Sequence, residues 1–112
     1  MKLNENKYKV SVIKKEVDRL RKEYPEAIYN SNPCSYSKGN VKNGPKTKGC
    51  LIGQAIRNVY PDLFNDIKKN NDSYEIESLI NSIDCITGSD RDIERLSKIQ
   101  MNQDCGVMWG KC

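Results

Sequence analysis

The stretch GCLIGQAI, residues 49–56, decides the fold because it begins an apolar helical run directly after the most basic part of the chain. Its apolar residues recur on one helix face, and Pro61 marks the end of the helix. Gly53 lies one turn inside, where glycine costs about 1 kcal/mol relative to alanine. Because Gly49 and Gly53 share a face, we expect another backbone or a ligand to approach closely there.

The same segment could also bind an anion. The sequence does not decide between close packing and anion binding, and the two interpretations are compatible. The first amides of a helix carry the positive end of its dipole, and two lysines stand beside them. The Gly-Lys-Ser/Thr order of a Walker loop is absent. The candidate ligand-binding residues of this segment are Lys46, Lys48, Gly49, Cys50, Gly53 and Gln54.

Amphipathic patterns predict helices in the rest of the chain. The first runs from about Asn6 to Tyr24, and a short helical turn follows around Asp62 to Lys69. Capping-box starts at Asp72 and Ser89 precede two more helices, and Gly106 is a C-terminal stop. The predicted core consists of Val10, Ile13, Val17, Leu20, Leu51, Ile52, Ile56, Leu79, Ile80, Ile83, Ile93 and Leu96.

Residues 26–48 are rich in Asn, Ser, Gly and Pro and predict a loop with a small hairpin. The hairpin turns either at Lys38-Gly39-Asn40 or at Asn43-Gly44. Four lysines occur here without an acidic neighbour. The fold class is therefore mainly α, a single domain over 1–112 with about four helices and one short β-ribbon or structured loop between the first two.

Hydropathy, cysteine content and charge restrict the expected location of the protein and the kind of partner it binds. No apolar run is long enough to cross a bilayer, so we expect a cytoplasmic protein without a membrane partner. The five cysteines are odd in number and irregularly spaced, which favours reduced thiols. Residues 1–48 carry a net charge of +7 and residues 49–112 of −3. This asymmetry indicates an anionic partner, two complementary halves or a solvated face.

The residue inventory restricts catalysis. The chain has no histidine, which excludes Cys-His dyads, Ser-His-Asp triads and every imidazole base. Cys50 at a helix N-terminus is the one candidate for a cysteine-dependent enzyme, although a buried inert thiol is the commoner outcome. No C-x-x-C pair points to zinc. We therefore predict no catalytic residue, no metal and no cofactor.

The C-terminal stretch QMNQDCGVMWG, residues 100–110, contains Trp109, the only tryptophan. Trp109 either pins this stretch to the core or offers a stacking platform for a base. Together with GCLIGQAI, this stretch resembles small uncharacterised proteins of phages and prophage-carrying bacteria, which pair a GCLxGxA helix start with a QDxGxxWG motif. The resemblance implies a mobile-element accessory protein, a class rich in host-directed inhibitors.

These observations predict a non-enzymatic binding protein, with a phage-type anti-defence role as one setting. The leading partner is an anionic small molecule such as a nucleotide signal, held by Lys46, Lys48 and the Gly49–Gly53 turn, with an aromatic wall from Tyr36 or Trp109. The alternative is a host protein or nucleic acid bound by the basic N-terminal half. Self-association stays open.

Overall fold

The computed structural model describes residues 8–30, 35–70, 76–82 and 86–112. Within these residues the chain is mainly helical, as predicted. The helices are α1 (Val10–Glu23), α2 (Leu51–Val59), α3 (Pro61–Asn70), α4 (Ile76–Ser82) and α5 (Asp90–Asp104), followed by a 3-10 turn (Trp109–Lys111). The strands are β1 (Tyr8–Lys9), β2 (Ile28–Asn30), β3 (Asn40–Lys42) and β4 (Ile86–Thr87).

Helix α1 begins later than the sequence predicted. Asn6 lies outside the described residues, and Tyr8 and Lys9 form β1, which pairs in parallel with Ile86 and Thr87 of β4. Periodicity within the first helix could not reveal this, because the partner strand lies far along the chain. From Val10 onward the predicted stripe is correct, since Val10, Ile13, Val17 and Leu20 are all buried.

The ribbon between the first two helices is present, but neither predicted turn closes it. Strand β2 pairs antiparallel with β3, with Tyr29 opposite Val41. The connection between them spans residues 31–39, of which 31–34 lie outside the described residues. Asn43 adopts a left-handed backbone with φ 60° just after β3, so the Asn43-Gly44 signal marks a turn leaving the ribbon.

The remaining helix signals have different outcomes. Ser89 caps α5, because its hydroxyl accepts a hydrogen bond from the amide of Asp92 at 3.2 Å. Gly106, at φ 88°, ends α5 as predicted. Pro61 begins α3, which is a full helix of ten residues rather than a short turn. The predicted cap at Asp72 lies outside the described residues.

One hydrophobic cluster joins the helices. Nine of the twelve predicted core residues are buried in it, whereas Ile80 and Ile93 pack against it half-buried and Ile83 lies outside the described residues. The other buried apolar residues of the cluster are Tyr8, Ala27, Tyr29, Tyr36, Cys50, Ala55, Leu63, Phe64, Ile67, Ile76, Ile86, Ile99, Trp109 and Cys112. Among the residues described here, no helix is both long and apolar enough to span a membrane.

Candidate functional site

The start of α2 is built from a left-handed glycine and a cysteine cap. Gly49 has φ 115°, a conformation that L side chains rarely adopt, and it turns the chain into the helix. Cys50 is the N-cap residue, and its sulfur accepts a hydrogen bond from the amide of Gly53 at 3.4 Å. Cys50 is only 2% exposed, so its thiol stabilises the helix start from inside the core.

The two glycines leave room for the chain's own backbone. A Cβ atom added at either Gly49 or Gly53 would overlap the carbonyl oxygen of Tyr36. The loop after β2 therefore lies against the first turn of α2, at the face where the sequence predicts a close approach. Of the two interpretations left open for this face, the structure supports packing, because Tyr36 occupies the space.

The amides at this helix start already have acceptors. Gly49 donates to the carbonyl of Gly39 at 3.0 Å, and Cys50 donates to the carbonyl of Ser35 at 3.0 Å. Leu51 donates to Oε1 of Gln103 at 2.8 Å. The hypothesis of an anion site assumed free amides at this point, and that assumption is wrong for these donors.

Gln54 ties α2 to the loop that carries the lysines. It is 2% exposed, and its Nε2 donates to the carbonyl of Thr47 at 2.7 Å and to that of Gly49 at 3.3 Å. The Thr47 hydroxyl donates back to Oε1 of Gln54. Gln54 is thus a structural residue of the site, because its polar atoms are directed at the chain itself.

Arg57 extends this support to the surface. Its guanidinium donates to the carbonyl of Lys48 at 2.9 Å and to Gln54 at 3.1 Å, and it lies 4.4 Å from the centre of the Phe64 ring. Burial lowers the pKa of Arg57 from its ordinary value. An arginine stays charged in proteins, so the backbone of Lys48 is held beside a fixed positive charge.

Four exposed side chains make up the basic surface of this region, which we call the lysine surface: Lys38, Lys42, Lys46 and Lys48. The hydrogen bond between Gly49 and Gly39 places the backbones of Lys38 and Lys48 side by side. The Tyr29 hydroxyl donates to the carbonyl of Lys38 at 2.8 Å. Among the described ion pairs, none involves these lysines.

The two predicted aromatic walls are not available to a ligand, which corrects that part of the prediction. Tyr36 is 1% exposed, and its hydroxyl accepts a hydrogen bond from Nε2 of Gln100 at 3.1 Å. Trp109 is fully buried, and its amide donates to the carbonyl of Ala27 at 2.8 Å. Pinning, the other interpretation of Trp109, agrees with this burial.

Two glutamines of the C-terminal motif are structural residues that sequence reasoning did not single out as such. Gln103 caps the amide of Leu51, and Oε1 of Gln100 accepts from the amide of Ile76 at 2.8 Å. Both side chains are nearly buried. The motif pair GCLIGQAI and QMNQDCGVMWG is therefore joined directly in space. The sequence feature that could have revealed this contact is the pair Gln100 and Gln103, which lie three residues apart on the inner face of α5.

In the described part of the chain, the cysteines form neither a metal site nor a recognisable reactive site. Cys105 and Cys112 are free thiols, Cys50 is buried and caps α2, and Cys34 and Cys85 lie outside the described residues. Burial raises the pKa of the Cys112 thiol, and the charges of Arg21 and Arg95 partly oppose this rise. Within the same residues, no group of three or more Cys, Asp or Glu side chains is arranged to hold a metal ion.

Comparisons with protein-family models, with curated proteins and with solved structures give no significant match. The resemblance to phage and prophage proteins therefore stays a prediction. In the described residues, the lysine surface carries positive charge that is not paired with a carboxylate. Gln54, Arg57 and Tyr36 hold its backbone in place.

Proposed function

We propose that this chain is a non-enzymatic binding protein whose lysine surface holds the phosphate backbone of a nucleic acid. The observation that carries the proposal is the lysine surface itself. Its members, Lys38, Lys42, Lys46 and Lys48, are exposed on adjoining segments, and none has a carboxylate within 4.0 Å in the described residues. Unpaired lysines on a fixed backbone attract a polyanion from any direction.

The kind of side chain favours phosphate over a protein surface. Protein interfaces are depleted in lysine, and their strongest contacts come from Trp, Tyr and Arg. Here Tyr29 and Tyr36 are turned into the core, and Arg57 is engaged with Lys48 and Phe64. A surface that offers only ammonium groups suits phosphate oxygens, which accept hydrogen bonds without requiring a packed pocket.

Three observations favour an extended polyanion over the nucleotide expected from the sequence. The amides of Gly49, Cys50 and Leu51 are already bonded within the chain. The aromatic side chains that would stack on a base, Tyr36 and Trp109, are buried. Three cavities lined by described residues involve α1, α5 and Gly110, and no residue of the lysine surface lines any of these three.

The resemblance to phage proteins supplies a biological setting for this proposal. In that setting the chain is an anti-defence factor that occupies a host nucleic acid and keeps a host protein from it. An enzyme that uses Cys50 receives less support, because Cys50 is 2% exposed and caps α2 through its sulfur.

The test compares Lys46→Gln/Lys48→Gln with Lys68→Gln/Lys69→Gln, a control that removes the same charge from exposed positions of α3. Fluorescence anisotropy measures binding to a short labelled duplex at low salt. Each lost phosphate contact removes part of the electrostatic affinity, so the first variant should bind about tenfold or more weakly, and the control within about threefold of wild type. Equal weakening in both variants would reduce the proposal to an effect of net charge.

A second arm separates the polymer from the nucleotide. We expect affinity to rise with the length of the nucleic acid, because more phosphates then reach the lysine surface. One-to-one binding of a mononucleotide that the Lys46→Gln/Lys48→Gln variant abolishes would instead support the small-molecule site predicted from the sequence.

A further inference from the structure

A groove between α1 and α5 carries a second concentration of charge, away from the lysine surface. One part has a volume of about 580 Å³ and is lined by Lys14 together with side chains from the first half of α5. A second part, of about 410 Å³, is lined by residues of the last half of α1, Gly110 and Arg95. Arg95 lines both parts, and we call the two parts together the α1–α5 groove.

Among the described residues that line this groove, cations outnumber carboxylates. Its basic residues are Lys14, Arg21, Lys22, Arg91, Arg95 and Lys98, and its acidic residues are Asp18, Asp92 and Glu94. Asp18 is already paired twice, with Lys14 at 3.2 Å and with Arg21 at 3.0 Å. In the described residues the basic side chains of α5 have no carboxylate within 4.0 Å, which leaves the groove with uncompensated positive charge.

The groove cations converge on its middle. Arg91, Arg95 and Lys98 lie at positions i, i+4 and i+7 of α5, so they share one face over about 10 Å of helix axis. Across the groove, the guanidinium of Arg21 is anchored by a hydrogen bond of 2.9 Å to the carbonyl of Trp109. Arg21 and Arg95 both line the second part of the groove, beside Gly110.

The lining indicates the chemistry of a ligand. Among its described residues there is no aromatic side chain, so these residues offer no platform for a base. Arg95 presents the planar donors that bind phosphate oxygens in pairs, whereas the Arg21 guanidinium, already bonded to Trp109 and Asp18, adds positive charge beside it. The volume of the groove is in the range of small-molecule sites, and its charge suits a compact anion with several phosphates.

We propose that the α1–α5 groove binds an oligophosphate, either free or as the phosphate tail of a nucleotide, with Arg95 at the centre of the site. This site is independent of the proposed nucleic-acid contact. Lys14, Asp18 and Arg21 lie on one flank of α1, whereas Glu16 lies on the other flank, where it accepts a hydrogen bond from Asn58 of α2 at 2.8 Å. The lysine surface is attached to α2, so the two sites can be tested separately.

Calorimetric titration with sodium tripolyphosphate at low salt tests the proposal. We expect saturable one-to-one binding by the wild-type chain and at least about tenfold weaker binding by Arg95→Gln, since one charge-assisted phosphate contact is lost. Arg19→Gln is the matched control, because it removes the same charge from the flank of α1 that bears Glu16. The control and the Lys46→Gln/Lys48→Gln variant should both bind tripolyphosphate within about twofold of wild type.

A parallel titration with ATP in the absence of divalent cations identifies the source of the phosphates. Equal affinities for ATP and tripolyphosphate would support a nucleotide tail, and binding of tripolyphosphate alone would support a free polyphosphate. ATP binding without tripolyphosphate binding would overturn the proposal, because the groove offers nothing for the base.

Failure of the wild-type chain to bind tripolyphosphate saturably would also overturn the proposal, as would an Arg95→Gln variant that binds as tightly as wild type. Circular dichroism establishes that Arg95→Gln is folded. If it is not, Arg91→Gln/Lys98→Gln replaces it with the same expected loss, since both side chains are exposed. None of these outcomes depends on whether the lysine surface binds nucleic acid.

Discussion

At the scale of single residues, Gly53 lies where α2 touches the loop that follows β2. The close approach of the Tyr36 carbonyl explains a glycine that helix propensity alone disfavours. Cys50 and Gln103 complete the same joint, by capping the amides of Gly53 and Leu51. Gly53 and Gln103 each contact a segment distant in sequence, whereas Cys50 acts within its own helix start.

Gly53→Ala tests this explanation through the sign of its effect. In an exposed helix the change would stabilise by about 1 kcal/mol, because alanine is the better helix former. Here the new Cβ must displace the Tyr36 backbone, so we expect a loss of roughly 1–3 kcal/mol in the free energy of unfolding. Urea denaturation measures it, and a stabilised variant would show that the loop does not lie against α2.

Thiol labelling provides a second test at this scale. Cys105 is exposed, whereas Cys50 and Cys112 are 2% and 5% exposed. Burial also raises the pKa of Cys112, which lowers its thiolate fraction near neutral pH. Of the three described cysteines, we expect iodoacetamide to modify Cys105 first in the native protein, and Cys50 and Cys112 only after denaturation. Peptide mass spectrometry reads each site, and rapid native labelling of Cys50 would reopen the possibility of a reactive cysteine.

At the scale of elements, periodicity was informative wherever a helix buries one stripe. The stripe of α1 was predicted because Val10, Ile13, Val17 and Leu20 repeat every three or four residues. The pairing of β1 with β4 could not be predicted, since two residues carry too little pattern to specify a partner. The same limit applies to the ribbon, whose existence was predicted but whose turn was misplaced.

Leu20→Ala tests the buried stripe of α1, with Val12→Ala as its control. Leu20 is 3% exposed and Val12 is 36% exposed on the same helix. We expect the core substitution to cost roughly 2–5 kcal/mol in the free energy of unfolding. The surface substitution should change that free energy by less than about 0.5 kcal/mol. Chemical denaturation measures both, and similar losses at the two positions would mean that α1 presents a different face to the core.

The site was predicted in part for the same physical reasons. Lys46 and Lys48 could be located from sequence, because a run of cations without acidic residues is visible along the chain. The burial of Tyr36 and Trp109 could not, since it depends on how the loop and the C-terminal turn fold back onto the helices. The two side chains were candidate stacking surfaces because they are aromatic. Their burial in the folded chain excludes them from that role.

At the scale of the whole molecule, the helices form a frame that presents positive charge on two separate surfaces. The lysine surface is fixed through Arg57 and Gln54 to α2, whereas the α1–α5 groove lies on another flank of α1. The basic first 48 residues supply all four lysines of the lysine surface, whereas three of the six described groove cations come from α5, in the part of the chain whose net charge is −3. A net charge of +4 would not by itself indicate either surface.

The salt dependence of nucleic-acid binding tests the central claim most directly, because it counts phosphate contacts. For a duplex the slope of log K against log salt is about −0.9 for each phosphate neutralised. We predict that Lys46→Gln/Lys48→Gln makes the slope shallower by about 1 to 2, whereas Lys68→Gln/Lys69→Gln leaves it unchanged. A slope identical to wild type in the Lys46→Gln/Lys48→Gln variant would contradict the claim that the lysine surface holds the phosphates.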